Sequence, residues 1–191
     1  MNRYLGLLLV FFTIIIGFSI EDSISESKYI KQKKKEDEQI LEQYGKSTFD
    51  YFNSLDCSNL QYVKRDYSFE RFIALSNERC MLTLTPPSFV SNTALLDHNT
   101  MNINEADIIF WIESKAGQSY NNYTYGLTAI RNNFDLVVLD IHSKRIIDRK
   151  TFVGIGDPPK SISRKQGDHS PEYFGYMSHD QVSEYILSKK K

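Results

Sequence analysis

The side chains best equipped for chemistry lie together late in the chain, in GIGDPPKSISRKQGDH from Gly154 to His169. Glycines followed by cations suggest a phosphate cradle, which works by pointing consecutive backbone N–H groups at one anion. The spacing argues against it. The third glycine of a G-x-G-x-x-G loop would fall at position 159, which is Pro159, and no G-x-x-x-x-G-K-[ST] run is present. Pro158 and Pro159 also remove two N–H donors. Read instead as a stop after a strand, the stretch becomes a contact loop presenting Lys160, Arg164, Lys165 and His169.

Three of the four histidines have an aspartate beside them, in Asp97-His98, Asp168-His169 and His179-Asp180. Adjacent residues on an extended chain point to opposite sides, so adjacency does not make a dyad. His169 and His179, with Asp168 or Asp180, would have to converge through folding to hold a metal or serve a hydrolase. Ser161 and Ser163 lack the G-x-S-x-G elbow of a serine nucleophile. Asp140 interrupts the apolar run FDLVVLDI just before a turn, where aspartate is a turn former. The run YNNYTYG could stack a sugar or peptide on Tyr120, Tyr123 and Tyr125, although cross-strand packing uses the same residues. Asn122 opens an N-x-T glycosylation sequon. No catalytic residue, cofactor site or metal site is assigned from these patterns.

The amino terminus carries an address. Arg3 precedes an uncharged stretch from Tyr4 to Ile20, and Gly17 with Ser19 offers a signal-peptidase site, so residues 1–19 read as a signal peptide. The competing reading is an uncleaved anchor with the domain outside, since the apolar length is at the lower limit for crossing a bilayer. No cysteine directly follows the apolar run, which argues against a bacterial lipid anchor. Both readings export the body, to a secreted or periplasmic location or to the outer side of a membrane. In an oxidising compartment the two cysteines, Cys57 and Cys80, are expected to form one bridge.

Residues 20–35 form a polar, Lys-rich spacer, and residues 36–191 are expected to form one α+β domain. Acidic residues followed by Ile40, Leu41, Tyr44, Thr48, Phe52 and Leu55 predict a helix from about 36 to 55, with Gly45 as its weak point. RCMLTL reads as a strand ended by Pro86 and Pro87, and SNTALLDHNTMNINEA as a connection with one helical turn. ADIIFWIES, YNNYTYGLTAI, FDLVVLDI and RIIDRKTFV predict an antiparallel meander of four or five strands, turning at Asn132-Asn133 and over 142–144. A capping box at Ser178 and Gln181 opens a short terminal helix burying Val182, Tyr185 and Ile186, with the three final lysines suited to its negative end. The meander would pack against the helices at both ends of the chain.

Formal net charge is −1, too small for a field that would gather nucleic acid. The body from Ser47 to Ser143 holds 6 Lys and Arg against 11 Asp and Glu, whereas Lys144 to Lys191 holds 10 against 6. Attraction between the two is intramolecular, and membrane contact is expected only through the amino-terminal segment.

The stretch LVVLDIHSKRIIDRKTFVGIGDPPKSIS, with D-x-x-x-x-x-I-I, then F-x-G, then P-P-x-S-I before a terminal helix, resembles a module of uncharacterised exported bacterial proteins. The resemblance implies an exported domain without an assigned activity, and it carries over no catalytic residue. The expected function is therefore binding, to an unknown protein or envelope component through the sheet face and the Pro-rich loop. The alternative is a secreted hydrolase or metal-dependent enzyme built around His169 and His179.

Overall fold

Four residues, 141–144, reverse the chain between two long strands, and the reversal is built as the local chemistry requires. Asp140 accepts from the Ser143 backbone N–H at 2.8 Å and from the Ser143 hydroxyl, while Lys144 takes φ 53. An aspartate that satisfies its own turn in this way is the turn former expected from sequence. In the computed structural model, which describes residues 28–76, 80–85, 87–91, 93–121, 123–163, 167–168 and 170–191, the strands on either side form the centre of the fold.

Strands β2 (Ile108–Tyr120) and β3 (Ala129–Asp140) pair antiparallel from Ile108↔Asp140 to Tyr120↔Ala129, with a bulge between Ala116 and Ser119. Strand β4 (Arg145–Val153) runs antiparallel along the other side of β3. Two expectations are corrected here. Asn132 and Asn133 lie inside β3 rather than at a turn, and YNNYTYGLTAI is split between the end of β2, the β2–β3 connection and the start of β3. Because both are half-buried, with Asn132 opposite Ala116 and Asn133 between Lys115 and Val153, ladder hydrogen bonds override their turn preference.

The sheet is α+β and mostly antiparallel, but it is mixed rather than a pure meander. Strand β1 (Phe72–Ala74) runs parallel to β2, and β5 (Glu172–Phe174) runs parallel to β3 at Ala129–Arg131, past the point where β4 has ended. Parallel neighbours need a long crossover, and the β1–β2 and β4–β5 connections are the ones with enough chain. The segment Cys80–Leu84, expected to be a strand, has none of this pairing. Cys80 takes φ 56 and is bridged to Cys57 with the two Cα atoms 6.1 Å apart, so the extended run is broken at its first described residue. The connection after it does contain one helical turn, α3 (Thr93–Leu96), as expected.

One sheet face buries Phe110, Leu136 and Val138 against Phe69, Phe72 and the helix α4 (His179–Leu187). Phe69, Phe72 and Phe110 meet edge to face at 5.3–5.6 Å, and full burial of such rings contributes roughly 1.5–3 kcal/mol each. The N-cap half of the capping box forms, since Ser178 Oγ accepts the Gln181 N–H at 3.3 Å, and Val182 and Ile186 reach the core. The last lysines go beyond the helix: the Lys191 N–H donates to the Phe69 carbonyl at 3.1 Å, tying the carboxyl end to the core.

The chain divides into two units, residues up to Glu42 and residues Gln43–Lys191. The described part of the Lys-rich spacer, residues 28–35, is exposed and helical, and the helix α1 runs over residues 28–44. The helix expected over 36–55 breaks at Gly45, which takes φ 76, and resumes as α2 (Lys46–Asn53). A positive φ of this size suits glycine and stops α1. Within the second unit, α2 is held by the Thr48 hydroxyl, which donates to the Met101 carbonyl at 3.0 Å and accepts from the Ile103 N–H at 2.9 Å. Among the described residues no helix is long and apolar enough to cross a membrane. The apolar segment 1–19 lies outside the described residues.

Candidate functional site

The strand period of two places Trp111, Glu113 and Lys115 of β2, Arg131, Asn133, Asp135 and Val137 of β3, and Arg149 and Thr151 of β4 on one face. Along that face the chemistry changes from apolar to charged. Trp111 and Val137 are buried, and the Trp111 indole N–H donates to Glu113 at 3.0 Å. Next comes Asp135, only 3% exposed. Its carboxylate accepts from Lys115 Nζ at 2.7 Å and Thr151 Oγ1 at 2.6 Å, and Arg149, paired with Glu113, lies 3.6 Å away. Burial by itself would raise the Asp135 pKa. The Lys115 and Thr151 hydrogen bonds and the charges of Lys115 and Arg149 outweigh burial and hold the carboxyl below its usual range. Two cations and two acids thus satisfy one another, leaving this stretch little to offer a substrate.

Arg131, two residues before Asn133, is different. Tyr120 and Phe174 pack edge to face with ring centroids 5.5 Å apart, and the Arg131 guanidinium rests 5.5 Å from each centroid. Such contacts are worth about 0.5–2 kcal/mol and hold the planar head in place. The platform depends on β5, because Phe174 stands opposite Arg131 in the parallel pairing. Arg131 Nε is enclosed without an acceptor, and Nη2 has one long contact, 3.4 Å to the Gly156 carbonyl. The Asn133 Oδ1 beside it is also enclosed and unsatisfied. Each buried group left unpaired costs roughly 1–3 kcal/mol.

Two loops meet at this end of the sheet. Tyr123 donates from its hydroxyl to the Pro159 carbonyl at 2.6 Å, tying the β2–β3 connection to the Pro-rich loop. Tyr125, in the short turn Thr124–Gly126, takes φ 63 and stands 88% exposed. A bulky side chain in the left-handed region costs free energy without gaining burial here, a pattern found at contact sites. Of the three tyrosines expected as a platform, then, Tyr120 packs, Tyr123 braces a loop and Tyr125 faces outward.

The Pro-rich loop itself is no phosphate cradle. The Gly154 N–H donates to the Asn132 carbonyl and the Ile155 N–H to the Tyr176 carbonyl, each at 2.9 Å, so those donors are spent. Gly154 is required for the approach: a Cβ there would lie 2.2 Å from the Asn132 carbonyl oxygen. Lys160 is exposed, as the contact-loop reading expects. Arg164, Lys165, His169 and the sequon residue Asn122 lie outside the described residues.

The remaining candidates are dispersed. His98 Nδ1 lies 2.9 Å from the Glu70 carbonyl, and His179 Nε2 lies 3.5 Å from Ser88 Oγ. Asp140 is 7% exposed, pairs with Arg65 at 2.8 Å and is engaged in its turn. Burial works to raise its pKa, but the hydrogen bonds from Ser143 and the charges of Arg65 and His142 prevail and lower it. Among the described residues no three His, Cys, Asp or Glu side chains are grouped to hold a metal. A cleft of about 460 Å³ opens between Gln43, Lys46, Asn102 and Asn104. Its lining has amides, hydroxyls and one ammonium but no carboxylate or imidazole for acid–base catalysis.

Sequence reasoning missed Arg131 and Phe174, and also a cluster around the buried Asp148. There the Tyr185 hydroxyl donates to Asp148, while Lys189 lies 5.5 and 5.6 Å from the Tyr67 and Tyr185 ring centroids. Burial, with the nearby carboxylate, pushes Tyr185 up to about 12 and raises Tyr67 as well, so both phenols stay protonated, and the Tyr185 hydroxyl ties the carboxyl-terminal helix to β4. The only sequence signal for that cluster was an aspartate inside the apolar strand RIIDRKTFV.

No family model, curated protein or solved structure matches this chain.

Proposed function

We propose that this is an exported binding domain, secreted or held at the cell envelope, whose contact surface is the end of the sheet where the two loops meet. The observation that carries the reading is Tyr125, a large aromatic side chain 88% exposed at φ 63 on a connection braced to Pro159. Rigid exposed aromatics supply contact area at low conformational cost. Export is supported by the Cys57–Cys80 bridge, which suits an oxidising compartment.

The test is co-sedimentation of the purified protein with envelope material from its own host. Wild type is expected in the pellet, and Tyr125→Ala combined with Lys160→Ala in the supernatant. Wild type remaining in the supernatant would overturn the reading. The intact mass of the native protein tests export separately: loss of residues 1–19 together with two hydrogens would report signal cleavage and the bridge at once.

A further inference from the structure

We propose that Arg131 is the receptor for a singly charged carboxylate on the ligand of this surface, an assignment that rests on the binding reading above. The other cations of the face are already neutralised, Lys115 by Asp135 and Arg149 by Glu113 and Asp135. Among the described residues Arg131 has no carboxylate within ion-pairing distance. A half-buried guanidinium without a counter-charge is an incomplete arrangement that an anion would complete.

The group is also preorganised. Tyr120 and Phe174 pack against it, β3 pairs with β5 at Arg131 and with β2 at the flanking Ile130 and Asn132, and a Cβ on Gly175 would lie 3.5 Å from Arg131 Cγ, so the backbone packs along the side chain. Ordering the receptor has therefore been completed by folding, and a ligand need not supply that free energy. With Nε enclosed and Nη2 engaged only at 3.4 Å by Gly156, the unspent donors are on the terminal nitrogens. Two parallel N–H groups on a planar fork match the two oxygens of a carboxylate.

The neighbourhood selects for a single charge. One added negative charge balances the single charge of Arg131, and because Lys115 and Arg149 are already paired with Asp135 and Glu113, a dianion would find no second unpaired cation among the described residues of this face.

The experiment uses the full, oxidised protein labelled with nitrogen-15. The Arg131 Nε–H resonance and the amides of residues 130–132 and 173–176 are followed during titration with acetate, and separately with inorganic phosphate, at constant ionic strength. A saturable acetate response is expected in wild type, lost in Arg131→Gln and weakened about tenfold in Arg131→Lys, which keeps the charge and loses the fork. The proposal is overturned if wild type shows no saturable response, if Arg131→Gln responds equally, or if phosphate binds more tightly than acetate. Should Arg131→Gln not fold, the wild-type titration and Arg131→Lys still decide. Co-sedimentation separates the two levels: Arg131→Gln that pellets like wild type removes the carboxylate receptor and leaves the binding surface, whereas wild type that never pellets removes the surface itself.

Discussion

Replacing Cys57 and Cys80 together by alanine should lower the melting temperature by roughly 6–12 °C. The bridge closes a loop with a sequence separation of 23, and in the chain-entropy account releasing a loop of that size costs about 3 kcal/mol. For a domain of this size each kcal/mol moves the midpoint by roughly 2–4 °C. The loop is consequential because it contains β1, whose three residues are 0–5% exposed, and Tyr62, which bridges to Ile146. Freeing the link enlarges the unfolded ensemble while those native contacts stay in place. Alanine is chosen because Cys80 is 2% exposed, and a serine hydroxyl there would add an unrelated desolvation cost. Calorimetry on oxidised wild type, wild type in reductant and the double variant checks this, with the last two expected to coincide. A double variant melting within about 2 °C of oxidised protein would refute the reasoning, because a loop constraint of this length could not then be acting on the unfolded chain.

Gly154→Ala should destabilise by about 1–3 kcal/mol, read as a lower urea midpoint, because its Cβ would press on the Asn132 carbonyl; an unchanged midpoint would show that the loop can move away. Ser178→Ala should cost about 1 kcal/mol through loss of the cap to Gln181, seen as a drop of a few degrees in the thermal midpoint. Asp135 and Asp140 have folded pKa values below the usual carboxylate value, so their stabilisation is present above about pH 4 and lost as pH falls through the depressed values. Thermal midpoints from pH 6 to pH 3 should therefore fall less steeply in Asp135→Asn than in wild type, and parallel slopes would contradict the assigned role.

The parts legible in the sequence were those in which neighbours along the chain do the work. The hairpin after Asp140 and the cap at Ser178 each depend on a side chain acting on its own backbone within a turn's length, and the break at Gly45 depends on the conformational freedom of a residue without a Cβ. Asn132 and Asn133 show where that logic stops. Their turn preference is real, but a strand paired on both sides gains more from an unbroken ladder. Cys80 shows the converse, a good strand residue drawn into a left-handed conformation at a position tied to Cys57.

The candidate site was less legible. Tyr120, Tyr123 and Tyr125 could be singled out by type, but alternation along a strand did not distinguish the one that packs from the one that presents itself. Arg131 carried no sequence signal at all, being an ordinary cation between an isoleucine and two asparagines.

By itself, then, the sequence determined an α+β chain with an alternating sheet and a capped terminal helix, because these follow from local periodicity and capping chemistry. Tertiary structure alone decided that β5 returns parallel beside β3. That return sets Phe174 against Tyr120 and places both rings at the Arg131 guanidinium. Its path is set by pairing with a strand distant in sequence, and no local preference along the chain encodes it.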